Sequence, residues 1–125
     1  MVKPGTVLIA HPDLNDDFFA FSVVLISEDH AGGTLGFTLN KPSNFDLSDA
    51  IERPDWPLEN VLYKGGPVNK TALILVHSSE WYSSNTMPIN TDLSISSDML
   101  MTEKMAMGNV PKHYRFVTGM SGWEY

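Results

Sequence analysis

The chain has 125 residues, 42% hydrophobic and 18% charged, a balance that excludes the disordered class and a length that suits one domain. Eight Lys and Arg against fifteen Asp and Glu leave a formal net charge of −7, which disfavours direct nucleic-acid binding. With no cysteine, disulfides, thiolate catalysis and Cys-ligated zinc are excluded by inventory.

From the N-terminus, residues 6–10 form an apolar run ended by His11-Pro12-Asp13, the pattern of a buried strand leaving a sheet. Residues 15–21 suit one helical turn. The longest nearly apolar run, residues 18–26, is about half of the roughly 20 residues that span a bilayer, so no membrane helix is expected. The four apolar residues after Pro4-Gly5 are too few for a secretory signal, and the cytoplasm is the expected location, a host's cytoplasm if the chain is viral. Residues 22–27 are β-branched and apolar and end at polar residues and the Gly32-Gly33 pair. Residues 34–40 alternate Leu35, Phe37 and Leu39 against Thr34, Gly36 and Thr38, and the two segments predict an antiparallel hairpin.

Residues 46–52 read as a short helix opened by Asp or Ser and stopped before Pro54. Pro54 and Pro57 force a loop over residues 53–57. Strands are expected at 61–63 and 72–77, then a polar and aromatic surface loop at 78–89, then a further strand within 89–95. Residues 97–108 carry the clearest helix pattern, with Ser96 or Ser97 as N-cap, Asp98 in the first turn, Gly108 as the stop and Pro111 just beyond. Residues 113–119 predict a strand with Tyr114 and Phe116 on one face and Arg115 and Val117 on the other. Strands with scattered helices, without repeats, indicate an α+β domain.

Between the strands at 61–63 and 72–77 lies Lys64-Gly-Gly-Pro-Val-Asn-Lys-Thr71. It has the composition of a phosphate loop but not its GxxxxGK[ST] spacing, and it precedes a β-rich run where a phosphate loop opens a helix. Gly65, Gly66 and Pro67 are therefore expected to form a tight turn using positive φ at a glycine. His11, Asp13, Asp16 and Asp17 gather imidazole and carboxylates within seven residues and are the candidate metal ligands, although no recognised ligand spacing is present. Ser, His and Asp are all available for nucleophilic catalysis, but no GxSxG elbow supports it. In the 97–108 helix, Met99, Met101, Met105 and Met107 fall nearly all round the wheel, with Leu100 and Ala106 adding to them. A helix apolar all round is buried or covered by a partner, and methionine suits adaptable contacts. These four methionines are the candidate partner-binding residues.

The chain resembles the bacterial YqgE/AlgH family. The resemblance is carried by Gly5-Thr-Val-Leu-Ile-Ala-His-Pro-Asp-Leu14 with Phe18 following, Ser22-Val-Val-Leu-Ile26, Gly36-Phe-Thr-Leu-Asn-Lys-Pro42, Gly65-Gly-Pro-Val68, Leu75-Val-His77, Ser97-Asp98 with Leu100, and Gly119-Met-Ser-Gly-Trp123. It implies an α+β fold in which a mostly antiparallel, bifurcated sheet curls into a pseudo-barrel with a few short helices. Longer members continue past the Gly-Trp pair with Gly-Gln-Leu-Glu and further structure, so residues 1–125 look like a single, C-terminally shortened domain, of the kind a phage could encode. One branch of the family is linked by name and genetic association to transcriptional regulation, and no established catalytic residues transfer.

The expected function is that of a non-enzymatic cytoplasmic domain that binds an unidentified protein partner or a second copy of itself, as a regulator. No cofactor is implied. The alternatives are a metal-assisted hydrolase or nucleic-acid-processing enzyme built on His11, Asp13, Asp16 and Asp17, and a small-molecule sensor, which requires a sizeable lined pocket.

Overall fold

The computed structural model describes residues 3–9, 22–30 and 33–123. In chain order these form β1 (Val7–Ile9), β2 (Val23–His30), β3 (Gly33–Thr38), β4 (Pro42–Asp46), α1 (Leu47–Ala50), β5 (Val61–Lys64), β6 (Val68–Ser78), β7 (Thr86–Pro88), β8 (Leu93–Ser96), α2 (Met99–Ala106) and β9 (Tyr114–Trp123). The strands make one curled half-barrel sheet in the order β1-β2-β3-β9-β6-β8-β7, with a β4-β5 limb joined to β9. Every pairing is antiparallel except β5 with β9. The architecture is α+β, as the order of strand and helix patterns predicts.

The apolar run in β6 is continuous because both faces of the strand are covered. Leu75 packs on one side with Trp56, Trp81, Phe116, Met101 and Met105. Ile74 and Val76 pack on the other with Leu25, Phe37 and Val117. β9 obeys the same alternation: Phe116 enters the first cluster and Val117 the second. Tyr114 meets Phe116 edge-on at 6.2 Å, and Arg115 lies over the Tyr63 ring at 4.6 Å. The predicted β2–β3 hairpin forms, with a bulge between Ile26 and Glu28.

β9 is also where the sheet divides. Its residues from Tyr114 to Met120 pair with β6 and in part with β5, and its last three residues pair with β3. At the division Gly65 and Gly66 cross the backbone of Gly119 and Met120. A Cβ on Gly65 would sit 2.3 Å from the Gly119 carbonyl oxygen, and one on Gly66 would sit 2.2 Å from the Met120 carbonyl. Neither Gly65 nor Gly66 adopts a positive φ; Gly119 does, at +75°. The expectation of a positive-φ turn at Gly65-Gly66-Pro67 is thus corrected: these glycines are required by close backbone approach. The positive φ after Pro67 belongs to Asn69, at 51°.

α2 begins one or two residues later than predicted. Its N-cap is Asp98, not Ser96 or Ser97, because the carboxylate accepts the Met101 N–H at 2.8 Å while Ser96 is held in β8. The Ser83 hydroxyl and the Asn85 N–H donate to the same carboxylate, at 2.6 and 2.9 Å. Partial burial pushes the Asp98 pKa up, but these hydrogen bonds together outweigh it and hold the group below its ordinary value. The C-terminus ends as predicted at Gly108, φ +91°, in a Schellman arrangement: the Gly108 N–H donates to the Met105 carbonyl and the Asn109 N–H to the Lys104 carbonyl, each at 3.0 Å.

Two other expectations shift. The 78–89 surface loop contains β7 and buries Trp81, whose indole N–H donates to the Asn109 carbonyl at 3.0 Å. The strand expected within 89–95 is displaced to β8. The helical turn at 15–21 lies outside the described residues.

Candidate functional site

Two bulged strands frame a cleft. β4 slips register against β5 between Pro42 and Asp46. The Ser43 hydroxyl bridges that slip, accepting the Phe45 N–H and donating to the Phe45 carbonyl, both at 3.0 Å. β6 slips against β9 between Val68 and Leu73, at the segment that holds Asn69 in its left-handed conformation. Bulges re-aim side chains, and these two carry Phe45 on one rim and Lys70 and Thr71 on the other.

The open space between them is about 580 Å³, within the size range of small-molecule sites. Leu62, Ala50, Phe45 and Pro67 supply its apolar walls. Lys64 and Lys70 bring ammonium groups, Ser43, Thr71 and Thr118 bring hydroxyls, and Asp49 adds a carboxylate. Leu62 is buried, whereas Phe45 is 73% exposed, so the ring stands at the margin in contact with solvent.

The segment from Lys64 to Thr71 lacks phosphate-loop spacing, and phosphate-loop geometry is likewise absent. The Gly65 N–H is directed away from any ligand, donating to the Thr118 carbonyl at 2.7 Å. Yet Lys64, Gly66, Pro67, Lys70 and Thr71 all line the cleft. The composition was the available signal, and only the fold brings β4 and α1 opposite it.

The four methionines of α2 separate into two pairs. Met101 and Met105 are fully buried beside Leu75 and Trp81. As surface partner-binding residues they are therefore corrected to core: the helix has one face against the sheet, and these two occupy it. Met99 and Met107 are 82% and 86% exposed, and Leu100 is half-exposed beside them. Lys104 on the same helix is drawn to the 78–89 segment, its ammonium 4.7 Å from both the Trp81 and Tyr82 ring centres and hydrogen-bonded to the Tyr82 carbonyl.

The candidate metal ligands His11, Asp13, Asp16 and Asp17 lie outside the described residues. Among the described residues no three His, Asp or Glu side chains are grouped closely enough to hold a metal ion. A serine and a histidine do converge elsewhere: His77 Nε2 is 2.7 Å from Ser96 Oγ. The pair is internal, each residue only 1% exposed, and the other ring nitrogen faces the Ser78 carbonyl at 2.9 Å where a catalytic pair would have a carboxylate. A carbonyl only accepts, so Nδ1 carries the proton and Nε2 accepts from Ser96. The Ser96 oxygen also meets Thr86 Oγ1 at 2.7 Å, tying β6, β8 and β7 together. This is a satisfied polar network inside the sheet.

The sequence profile of the family described as DUF179, AlgH-like, matches residues 7–125. The chain belongs to the AlgH-like family. It is 31% identical over 124 residues to a UPF0301 protein of Marinomonas sp., covering 94% of this chain and 65% of that one. It is 35% identical over 126 residues to a UPF0301 protein of Bacteroides fragilis, covering 99% of this chain and 64% of the relative. The chain thus spans less than two-thirds of these family members' length. The solution structure of the AlgH protein from Pseudomonas aeruginosa superposes with a TM-score of 0.75 at 26% identity, covering 94% of this chain and 66% of that one. The crystal structure of protein DIP2367 from Corynebacterium diphtheriae gives 0.78 at 25% identity, over 99% and 68%. The family has no characterised function, so the site must be read on its own chemistry.

Burial lowers the His77 pKa from its ordinary 6.5, against smaller opposing effects from the Ser78 carbonyl and the Glu80 charge. The folded state therefore prefers the neutral ring. Above 6.5 both states are neutral and this contribution is complete; as pH falls below that value the unfolded chain takes up the proton first, and stability is lost. Urea unfolding followed between about pH 7.5 and pH 5.5 should show declining stability in the parent chain. In His77→Gln, which keeps an acceptor for Ser96, that decline should be clearly reduced. An equal decline in both proteins would contradict the assignment.

Proposed function

We propose that this chain is a non-catalytic binding domain of regulatory type that responds to a small molecule held in the cleft between β4 and β6. The observation that supports it is the cleft itself, about 580 Å³ with apolar walls and a few converging polar groups, the composition typical of ligand sites. Its walls are set by strand pairing and bulges, so the site exists before a ligand arrives. Screening a fragment library by amide chemical shifts on the isotope-labelled chain tests this reading. Hits should move the amides of Phe45, Lys64, Lys70, Thr71 and Thr118 together; hits that cluster elsewhere and leave these five still would contradict it.

A second reading, binding of a protein partner or a second copy, is favoured by the outward face of α2, where Met99 and Met107 are more than four-fifths exposed. Apolar side chains this exposed on an ordered helix suit an adaptable contact. The double variant Met99→Lys, Met107→Lys touches no buried side chain and should alter stability by no more than about 0.5 kcal/mol. It should abolish self-association in sedimentation, or capture of a partner from native extract. Unchanged association in the folded double variant would end this reading.

A further inference from the structure

We infer that the cleft between β4 and β6 takes a small organic anion: an apolar, ring-bearing body with one carboxylate, sulfonate or phosphate head. This rests on the reading of the cleft as a small-molecule site and names the class of molecule it selects.

The chain carries −7 overall, yet the cleft gathers two of its eight basic residues, Lys64 and Lys70, against the single carboxylate of Asp49. A local cationic excess in an acidic protein must be placed there by the fold. Lys64 is the last residue of β5, immediately before the Gly65-Gly66 crossing, and Lys70 follows the left-handed Asn69 inside the β6 bulge. Two ammonium groups disfavour a metal ion or an amine. The hydroxyls of Thr71 and Thr118 supply neutral donors for anion oxygens beside them.

The body of the ligand is specified by Phe45 and Leu62. Phe45 is held by the Ser43 hydroxyl on its own backbone N–H and carbonyl, so the ring is presented by a fixed piece of chain while the residue stays largely exposed. An aromatic face in that position gains most by covering a second ring or a flat apolar group. Leu62 gives the floor a surface that has no hydrogen bond to offer. Lys70 on the β6 rim, Lys64 on β5 and the Phe45 ring on β4 together select an amphiphilic anion over inorganic phosphate, which would leave Phe45 uncovered, and over a neutral hydrocarbon, which would leave the lysines unused.

Two fluorescent probes that differ only in the head group test the inference. The probes are 1-anilinonaphthalene-8-sulfonate and its uncharged parent N-phenyl-1-naphthylamine, titrated into the folded chain at low salt. The sulfonate should bind at one saturable site about tenfold more tightly than the neutral probe, the difference two partly exposed ion pairs provide. The double variant Lys64→Gln, Lys70→Gln should remove that advantage and leave the neutral probe within about twofold. Phe45→Ala, at an exposed position where folding is unaffected, should weaken both probes, and Phe45→Leu should weaken them less. Equal affinity for the two probes, or a sulfonate affinity indifferent to the lysines, would overturn the anion assignment while leaving the cleft as a site. Indifference of both probes to Phe45→Ala, or no saturable binding of either, would overturn the cleft itself.

Discussion

The backbone of Gly65 is the point through which the rest of the molecule is tied. Its N–H donates to the Thr118 carbonyl of β9 at 2.7 Å, and its carbonyl accepts the Thr38 N–H at the end of β3 at 2.8 Å and the Ser121 hydroxyl at 3.2 Å. The two glycines and Gly119 bring backbones together more closely than any Cβ allows. Buried backbone groups must find partners, and here one residue satisfies the ends of two limbs at once. Without the crossing, β9 could not leave β6 and join β3, and the sheet would not divide.

The cleft is a by-product of that division. Once the β4-β5 limb is drawn to β9 in parallel, β4 has no second neighbour among the described strands, and space opens between it and the bulged start of β6. Gly66 and Pro67 line this space directly, and Lys64 and Lys70 flank the crossing. The same short segment therefore closes the fold and furnishes the cationic side of the site. Leu62, at the base of the cleft, belongs to one cluster with Leu75, Met101, Met105 and Phe116, whose burial fixes α2 and leaves its outer face, with Met99 and Met107, to solvent. The two candidate binding surfaces thus rest on one shared core cluster.

Period-two alternation made β3 and β9 legible, because Phe37 of β3 enters one core cluster and β9 sends Phe116 to one cluster and Val117 to the other. Gly108 and Pro111 made the end of α2 legible, since a left-handed stop has few other chemical solutions. What sequence could not give was anything set by strand pairing. Asp98 displaced Ser96 and Ser97 as the cap because Ser83 and Asn85, from another segment, converge on its carboxylate. Helical periodicity placed methionines all round α2 but could not say that the sheet meets the face of Met101 and Met105. The Gly65-Gly66 pair was read as a turn because the chain it crosses lies more than fifty residues away, and the cleft stayed hidden for the same reason. Both parts of its polar lining were visible, one in Lys64 and Lys70, the other in Ser43 and Thr118, but no local rule joins them.

The dependence of the fold on the crossing can be measured by comparing two glycine-to-alanine variants in urea unfolding. At Gly66 the added methyl meets the Met120 backbone at 2.2 Å, whereas at Gly108, φ +91°, it meets nothing within 4 Å. Gly108→Ala should cost about 1 kcal/mol, the strain of a left-handed residue alone. Gly66→Ala should cost about 3 kcal/mol or more, since two backbones must separate. A loss at Gly66 no larger than the loss at Gly108 would contradict the claim that close approach at this crossing holds the structure together.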